Sequence, residues 1–422
     1  MEATRIRLAE GVHLTYLPAR KFKTSLLSAQ FVTPLRRETA GANALLAAVL
    51  RRGTVSCPDM GALSAKMDNL YDASIDYTVR KKGENQCVGF VASFIDDRYA
   101  PGGERLLEPA AALLGELICD PVTYHGRFVP EYFESEKTNL LEAIRSLIND
   151  KRDWADSRLL RALCDGEAYA VPRLGDEETV DKLQALKVYT QYRDLISTAP
   201  LEIIYSGSAG LERVKQALAA AFATLPREEV RVISTAAPHV CRESVQYVED
   251  VLDVTQGKLG MGFSCGSDDM PALLMGNTLF GGSSNSKLFL NVREKLSLCY
   301  YASSLYHRQK GLITVSSGIE FQNYQRAYDE IMAQLEAVQK GELEDWELEG
   351  ARSTLLNSYA TVGDSQGKLE NFYLGQAATG QHETPADLAR AIQDMTAERI
   401  CRAMSTMKLD TVYFLKGKEV EA

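Results

Sequence analysis

The sequence predicts an α+β fold of two structurally similar domains, each a mainly antiparallel sheet with helices on one face. Three observations predict it. The chain has 422 residues, which is too long for one ordinary core and suits two domains of about 200 residues each. In each half, segments with strand alternation come first and segments with helical periodicity follow, which is the order of an α+β fold. The second half repeats that order, which predicts an internal duplication.

The first half contains strand-like runs of alternating residues and helical runs with apolar residues at three- and four-residue steps. The strands are predicted at 12–17, 26–32, 75–79, 86–94 and 201–206, and the helices at 42–51, 60–70, 106–118, 133–163 and 211–222. The cluster Lys81-Lys82-Gly83-Glu84 between two of the strands predicts a hairpin. Pro109 indicates a kink or a late start in its helix.

Residues 227–242 are polar and small, include Pro238, and form the predicted linker between domains at 1–226 and 243–422. The second half then begins again with strands. They are predicted at 244–249, 259–265, 298–306, 312–319 and 411–415, with helices at 271–280, 287–295, 324–339, 344–375, 385–394 and 397–408.

Composition and charge exclude several classes of protein. Hydrophobic residues make up 45% and charged residues 25% of the chain, as in soluble globular proteins. The net charge of −10 argues against a nucleic-acid partner, which favours a basic face. No segment approaches the roughly 20 apolar residues of a membrane span, and the N-terminus has no secretory signal. Eight scattered cysteines without a Cys-x-x-Cys pair favour reduced thiols. We therefore expect a cytoplasmic protein with neither nucleic acid nor membrane as partner.

The most informative segment is 43–54, Asn-Ala-Leu-Leu-Ala-Ala-Val-Leu-Arg-Arg-Gly-Thr, which predicts a short apolar helix that Gly53 ends. It resembles the first helix of the pitrilysin/insulinase peptidase family. That helix carries the inverted zinc motif His-x-x-Glu-His with Gly-Thr close behind. Gly53-Thr54 therefore sets the register of the comparison.

In this register the two histidines fall on Ala44 and Ala48 and the glutamate on Ala47. In active members the histidines, four apart on one helical face, bind zinc and the glutamate activates the bound water. Three methyl groups can do neither. The resemblance therefore implies a degenerate zinc motif, with no metal and no cofactor.

The family's third zinc ligand is a glutamate on the long helix downstream, and it corresponds to Ala143. Glu142 lies one step earlier, a rotation of about 100° on a helix. A register shift of one residue would place this carboxylate at the ligand position. Even then, one carboxylate without histidines is a poor zinc site, and the alternative is that Glu142 is a solvated helix residue.

The segment 281–301 resembles the second-domain signature of bacterial members: a glycine-rich turn, Ser-Lys-Leu-Phe, Arg-Glu-Lys and then Tyr. The resemblance implies that Arg293 binds a substrate carbonyl or carboxylate and that Tyr300, or its neighbour Tyr301, donates to the oxyanion. The alternative is that Arg293 caps or salt-bridges its helix end and that Tyr300 is a core residue of a strand. The segment lacks the Gly-Lys-Ser/Thr ending of a phosphate loop, which argues against a nucleotide site.

The resemblance spans almost the whole chain and implies two domains that face each other across a cavity. Some bacterial members are obligate pairs in which one chain carries zinc and the other the Arg/Tyr half. Segments 70–73 and 149–151, with Arg158, most resemble metal-free members associated with modification of elongation factor P.

We therefore expect a zinc-free subunit whose partner carries His-x-x-Glu-His and whose substrate is a peptide. Without that partner the chain could form a homodimer. Two alternatives stay open. One is a retired peptidase fold that acts as a binding or assembly module. The other is a stand-alone Cys or Ser hydrolase, although no cysteine sits next to a predicted base in the sequence.

Overall fold

Thirteen strands and fourteen α-helices are present in the computed structural model, which describes residues 3–233 and 237–418. The strands are β1 (Thr4–Ala9), β2 (Val12–Pro18), β3 (Thr24–Pro34), β4 (Ser74–Lys82), β5 (Asn85–Ile95), β6 (Thr123–Tyr124), β7 (Arg127–Phe128), β8 (Leu201–Gly207), β9 (Gln246–Leu252), β10 (Gly257–Cys265), β11 (Cys299–His307), β12 (Leu312–Ile319) and β13 (Met407–Gly417). The helices are α1 (Arg37–Leu50), α2 (Met60–Asp68), α3 (Leu107–Cys119), α4 (Pro130–Ser146), α5 (Lys151–Leu163), α6 (Glu177–Asp181), α7 (Ala185–Thr198), α8 (Leu211–Ala221), α9 (Met270–Phe280), α10 (Tyr324–Lys340), α11 (Asp345–Val362), α12 (Gln366–Ala378), α13 (Pro385–Gln393) and α14 (Ala397–Met404).

Apart from β1, which adds a sixth strand to the first sheet, the two larger sheets share one topology. The first has the order β1-β2-β8-β3-β5-β4 and the second, read from its other end, β9-β13-β10-β12-β11. Neighbouring strands are antiparallel except for β2 with β8 and β13 with β9, which are parallel. The predicted α+β class with two similar, mainly antiparallel domains is therefore confirmed. The internal duplication stays a prediction, although a shared topology is what a duplication would leave.

Each sheet buries an apolar face against helices. In the first sheet, Leu27, Ala29 and Phe31 of β3 alternate inward and join the apolar side chains of α1 and α3 in one cluster. In the second, Leu259 and Met261 of β10 pack in the same way with α9. The helices lie on this face because it buries their own apolar residues together with those of the strands.

The opposite face of each sheet also carries a helix. Ser28 of β3 points away from the apolar cluster and donates to Glu370 of α12, 2.7 Å away. In the second sheet Gly262 of β10 lies beneath α5, where a Cβ would come within 2.7 Å of Leu163 Cδ2. Glycine is required there because the helix approaches the strand so closely.

Two long helices predicted at 133–163 and 344–375 are wrong, because each is interrupted. Asp150 caps α5 by accepting from the backbone N–H groups of Arg152 and Asp153, at 2.9 and 3.0 Å. Ser365 caps α12 by accepting from the N–H of Lys368. Short polar side chains compete with the helix for backbone donors, so each begins a new helix instead of continuing the old one.

These interruptions coincide with a change of compact unit. The first unit comprises residues 3–145, 171–233 and 363–382, and the second comprises 146–170, 237–362 and 383–418. The predicted domains at 1–226 and 243–422 place α5 in the first domain and α12 in the second. In the structure, α5 belongs to the second unit and α12 to the first.

The predicted linker at 227–242 includes residues 234–236, which lie outside the described residues. Its described remainder forms neither helix nor strand. The sequence did not predict β1, α6 or α7, while the hairpin at residues 81–84 is confirmed. In the described part of the chain, none of the helices combines the length and the apolar character needed to cross a lipid bilayer.

Candidate functional site

Helix α1 places two of the degenerate positions on the wall of one cavity. Ala44 and Ala48 lie four residues apart on α1 and line a cavity of about 780 Å³ in the first unit. Ala143 of α4 lines the same cavity. Ala47 is buried in the apolar core and is not among the lining residues. The three positions that the resemblance assigns to metal ligands therefore line one cavity, and each is occupied by an alanine.

Glu142 does not restore the missing carboxylate. Its side chain is exposed, and it is not among the residues that line the cavity, whereas Ala143 is. A rotation of about 100° separates adjacent helical residues, which places Glu142 on another side of α4.

Glu136 is an acidic residue of the cavity that sequence reasoning missed. It lies seven residues, about two helical turns, before Ala143 and therefore on the same side of α4. Its carboxylate is buried and accepts from Arg52 Nη1 at 2.9 Å. The Arg52 guanidinium also lies over the Tyr132 ring, 5.1 Å from its centroid. The seven-residue spacing between Glu136 and Ala143 was the feature of the sequence that could have drawn attention to Glu136.

The lining residues do not fit a zinc ion. They include no histidine and no cysteine, and Glu136, their one carboxylate, is already paired with Arg52. Zinc sites use three or four nitrogen, sulfur or carboxylate ligands. The donor set of this cavity is too small, which agrees with a degenerate metal motif.

Basic side chains line the same cavity. Arg80 forms two hydrogen bonds of 2.6 Å with the buried carboxylate of Glu370. Lys82 donates to Asn371 Oδ1 at 2.7 Å, and burial lowers the pKa of its ammonium group. Lys81 and Arg173 are the other basic lining residues. The cavity therefore has positive charge without a metal.

The cavity also borders the open edge of the first sheet. Strand β4 is at the end of the strand order and pairs only with β5. Their hairpin has a two-residue turn, Gly83-Glu84, with φ of +58° at Gly83, closed by the pair Lys82–Asn85. The closing pair exchanges backbone hydrogen bonds, and bonded pairs alternate along an antiparallel ladder. Even-numbered residues of β4 therefore bond to β5, and the backbone groups of odd-numbered residues face outward.

Two of these outward carbonyls have arginine partners. The Ile75 carbonyl accepts from Arg51 Nε, and the Val79 carbonyl accepts from Arg173 Nη1 at 3.1 Å. Arg51 is half-buried beside the sulfur atoms of Met60 and Met67, whereas Arg173 is exposed.

The second unit brings Arg293 and Tyr300 to one cavity. Arg293 lies on a π-helical segment, Leu288–Lys295, and Tyr300 on β11, and both line a cavity of about 430 Å³. The guanidinium of Arg293 lies 4.7 Å from the centre of the Phe289 ring and 3.4 Å from Glu294. The Tyr300 side chain is 62% exposed, which differs from the alternative of a core residue.

Glu320 is an acidic residue of this second cavity that the sequence did not indicate. The Tyr300 hydroxyl donates to Glu320 Oε1 at 2.7 Å, and this bond, with the charge of the carboxylate, raises the pKa of Tyr300. Tyr301 does not line the cavity, and its ring lies 4.3 Å from the guanidinium of Arg152. Of the two candidate tyrosines, Tyr300 therefore lies with Arg293.

A cluster with metal-like spacing lies elsewhere in the second unit. Ligand atoms of Cys164, Glu167 and His239 lie within 4.8 Å of one another. Glu167 is, however, bound by both His239 and the ammonium group of Lys310, and the other ring nitrogen of His239 faces Asp410 at 3.2 Å. Charges of both signs already pair within this cluster, so we describe it as a buried ion network.

Comparison with known proteins adds a family. Residues 182–355 match the family described as Peptidase M16 inactive domain. Over 416 residues the chain is 34% identical to the "Probable inactive metalloprotease YmfF" of Bacillus subtilis, covering 97% of this chain and 96% of that protein.

Two crystal structures share the fold. A conserved protein from Enterococcus faecalis V583 superposes with a TM-score of 0.90 at 27% identity over the full length of both chains. A peptidase M16 inactive domain from Pseudomonas fluorescens gives 0.81 at 17% identity, also over both full lengths, and this second likeness concerns the fold alone.

Proposed function

Because the chain belongs to the M16, or pitrilysin/insulinase, peptidase family as an inactive-type member, we propose that it is the zinc-free subunit of a two-chain peptidase. Its partner is a zinc-bearing M16 subunit with the motif His-x-x-Glu-His. This chain contributes half of a peptide-binding cavity and completes the partner's active site with Arg293 and Tyr300. The observation that carries the proposal is that these two side chains line one cavity although the metal positions are alanines.

Each of the two side chains has a separate role in hydrolysis. The fork of N–H donors on Arg293 holds a carbonyl or carboxylate of the peptide. The hydroxyl of Tyr300 donates to the oxyanion that develops on the scissile carbonyl, where a placed donor is worth a factor of about 10² or more in rate. Zinc and its activated water are supplied by the partner.

Glu320 determines whether Tyr300 can act in this way. Its carboxylate holds the Tyr300 hydroxyl proton, so the hydroxyl must turn from Glu320 toward the substrate. A negative charge beside an oxyanion would also oppose catalysis. Substrate or partner binding would therefore have to move Glu320 away.

The peptide itself would bind as an additional strand. The open edge of β4 borders the first cavity through residues 77–82. Extended peptides bind exposed sheet edges by backbone hydrogen bonds, with alternate side chains in pockets. This supports a role in positioning an extended peptide.

The test is to isolate the tagged chain from its native cells, identify a co-purifying His-x-x-Glu-His subunit and measure peptide hydrolysis by the pair. Arg293→Ala should leave pair formation intact and lower kcat/KM about 10²-fold. Arg326→Ala, which removes an exposed arginine of α10, should change neither. Unchanged turnover with Arg293→Ala would refute the shared site.

The second candidate is a retired peptidase fold that binds or assembles other proteins without a role in hydrolysis. The hydrogen bond between Tyr300 and Glu320 favours it, because the hydroxyl is already engaged. Isolation of the chain with partners that lack the zinc motif, or of a homodimer, would favour this candidate.

A further inference from the structure

The first cavity has a positive charge that the chain as a whole does not have. Its lining includes Arg80, Lys81, Lys82 and Arg173 against the single carboxylate of Glu136. With the paired residues Arg52 and Glu370 included, basic side chains still outnumber acidic ones at this cavity. The whole chain has a net charge of −10, so this charge is local. Local positive potential attracts and orients anionic ligands.

Two arginines cover outward carbonyls of β4, and they differ in how firmly they are held. The guanidinium group on the Ile75 carbonyl belongs to Arg51, which is half-buried. The one on the Val79 carbonyl belongs to Arg173, which is exposed and, among the described residues, shows this single side-chain hydrogen bond. Arg173 can therefore leave Val79 at little cost, whereas Arg51 is held by its surroundings.

A peptide strand added to β4 needs the carbonyl that Arg173 covers. Tyr77, Val79 and Lys81 direct their backbone groups outward at the cavity. A backbone N–H of the peptide would donate to the Val79 carbonyl only after the guanidinium has moved. A carboxylate on the peptide would accept that guanidinium in a two-point pair between opposite charges, whereas the Val79 carbonyl offers it one bond to a neutral acceptor.

We propose that this cavity binds extended peptides with acidic side chains and that Arg173 determines this specificity. A ligand carboxylate takes the guanidinium of Arg173 from the Val79 carbonyl, and the freed carbonyl accepts a backbone N–H of the same peptide. Binding of the acidic side chain by Arg173 and exposure of the Val79 carbonyl therefore occur together. This inference rests on the proposed function and names the class of substrate.

Fluorescence anisotropy with the isolated full-length chain tests it. The probes are three labelled peptides of one Ser/Thr/Val sequence that differ only in three positions, occupied by Glu, Gln or Lys. The Glu peptide should bind about tenfold more tightly than the Gln peptide, a difference of about 1.4 kcal/mol. The Lys peptide should bind more weakly than both.

Arg173→Gln should reduce the preference for Glu over Gln to about twofold or less, without weakening the Gln peptide. The matched control is Arg193→Gln on α7, an exposed arginine of the same unit that does not line the cavity. It should retain the tenfold preference. Equal binding of the Glu and Gln peptides, a preference that survives Arg173→Gln, or no binding at all would each overturn the inference.

This outcome is separable from that of the proposed function. Binding is measured without the zinc-bearing subunit, whereas the proposed function is tested by the Arg293 dependence of turnover in the pair. A pair that depends on Arg293 but shows no acidic preference would remove only the present inference. Acidic preference in the isolated chain without any hydrolysing pair would leave a binding module.

Discussion

Tyr300 and Arg293 differ in how far their hydrogen-bonding groups are engaged. Arg293 contacts its neighbour Glu294 and the Phe289 ring, neither of which uses its full fork of donors. The single O–H of Tyr300, in contrast, is donated to Glu320. Arg293 is therefore ready to bind a ligand, whereas Tyr300 needs an exchange of partners first.

Glu320→Gln should release Tyr300 and lower its pKa toward the ordinary value. The cause of the raised pKa is the hydrogen bond to Glu320, followed by the repulsion between a phenolate and that carboxylate. A neutral amide removes the repulsion and weakens the bond. The measurement is an NMR titration of ring-labelled tyrosine, with the Tyr300 signal assigned by Tyr300→Phe. A Tyr300 pKa unchanged in Glu320→Gln would contradict the geometry.

At the scale of single residues, resemblance to a motif assigned alanines to the metal positions and predicted the Arg/Tyr pair, and both assignments stay predictions. The seven-residue spacing places Glu136 on the same side of α4 as Ala143, but it does not show the contact with Arg52, and nothing in the sequence indicated Glu320. Both have a role only because folding brings them beside residues distant in sequence, as with Glu136 and Arg52, which lie 84 residues apart. Only a spatial neighbour distinguishes such a carboxylate from the many solvated acids of a chain.

Among the elements, α12 has polar contacts with two strands of its sheet. Glu370 accepts from Ser28 of β3 and, through both oxygens, from Arg80 of β4. The carboxylate is almost completely buried. One side chain therefore ties α12 to two strands of the first unit.

Glu370→Gln should lower the free energy of unfolding by about 3 to 5 kcal/mol, because it leaves the Arg80 guanidinium without its counter-charge in a buried site. The double variant Arg80→Met/Glu370→Leu should recover most of this loss, because two apolar side chains need no partner. Urea unfolding followed by circular dichroism measures both. A single variant as stable as the wild type would show that the pair contributes little.

The helices and strands also show which features a local sequence pattern can predict and which it cannot. Alternation and the turn-forming cluster at residues 81–84 predicted the β4–β5 hairpin correctly, because it depends on a local turn with a positive φ at Gly83. The two long helices were predicted without their interruptions because apolar periodicity continues on both sides of Asp150 and Ser365. Which sheet α5 or α12 covers depends on packing with distant strands, and no local pattern contains that information.

For the whole molecule, the positive charge of the cavity contrasts with an acidic remainder, which includes several buried or partly buried carboxylates. Asp96, Glu167, Glu202 and Asp410 have lowered pKa values. In each, burial alone would raise the pKa, but hydrogen bonds and neighbouring cations lower it by more. A lowered pKa in the folded state means that the ionised form contributes to stability above the unfolded-state pKa of about 4.

Acid should therefore destabilise the protein, and Asp410 provides the clearest case. Its carboxylate is completely buried and accepts from the backbone N–H and Nη1 of Arg242, at 2.8 and 2.6 Å, and from Thr411 Oγ1 at 2.7 Å. Its contribution is complete above the unfolded-state pKa and is lost as pH falls through the lower folded-state pKa. Asp410→Asn should lower the free energy of unfolding at neutral pH by about 3 kcal/mol. It should also make the decline in stability between about pH 5 and pH 3 shallower.

Asp253→Asn, which alters an exposed carboxylate of the same unit, should follow the wild type at every pH. Urea unfolding at a series of pH values measures the two slopes. Parallel decline of Asp410→Asn and the wild type would show that the acid sensitivity arises at other carboxylates. A shallower slope for Asp410→Asn alone would assign part of it to the ion network, in which one buried charge holds β13 to the chain around Arg242.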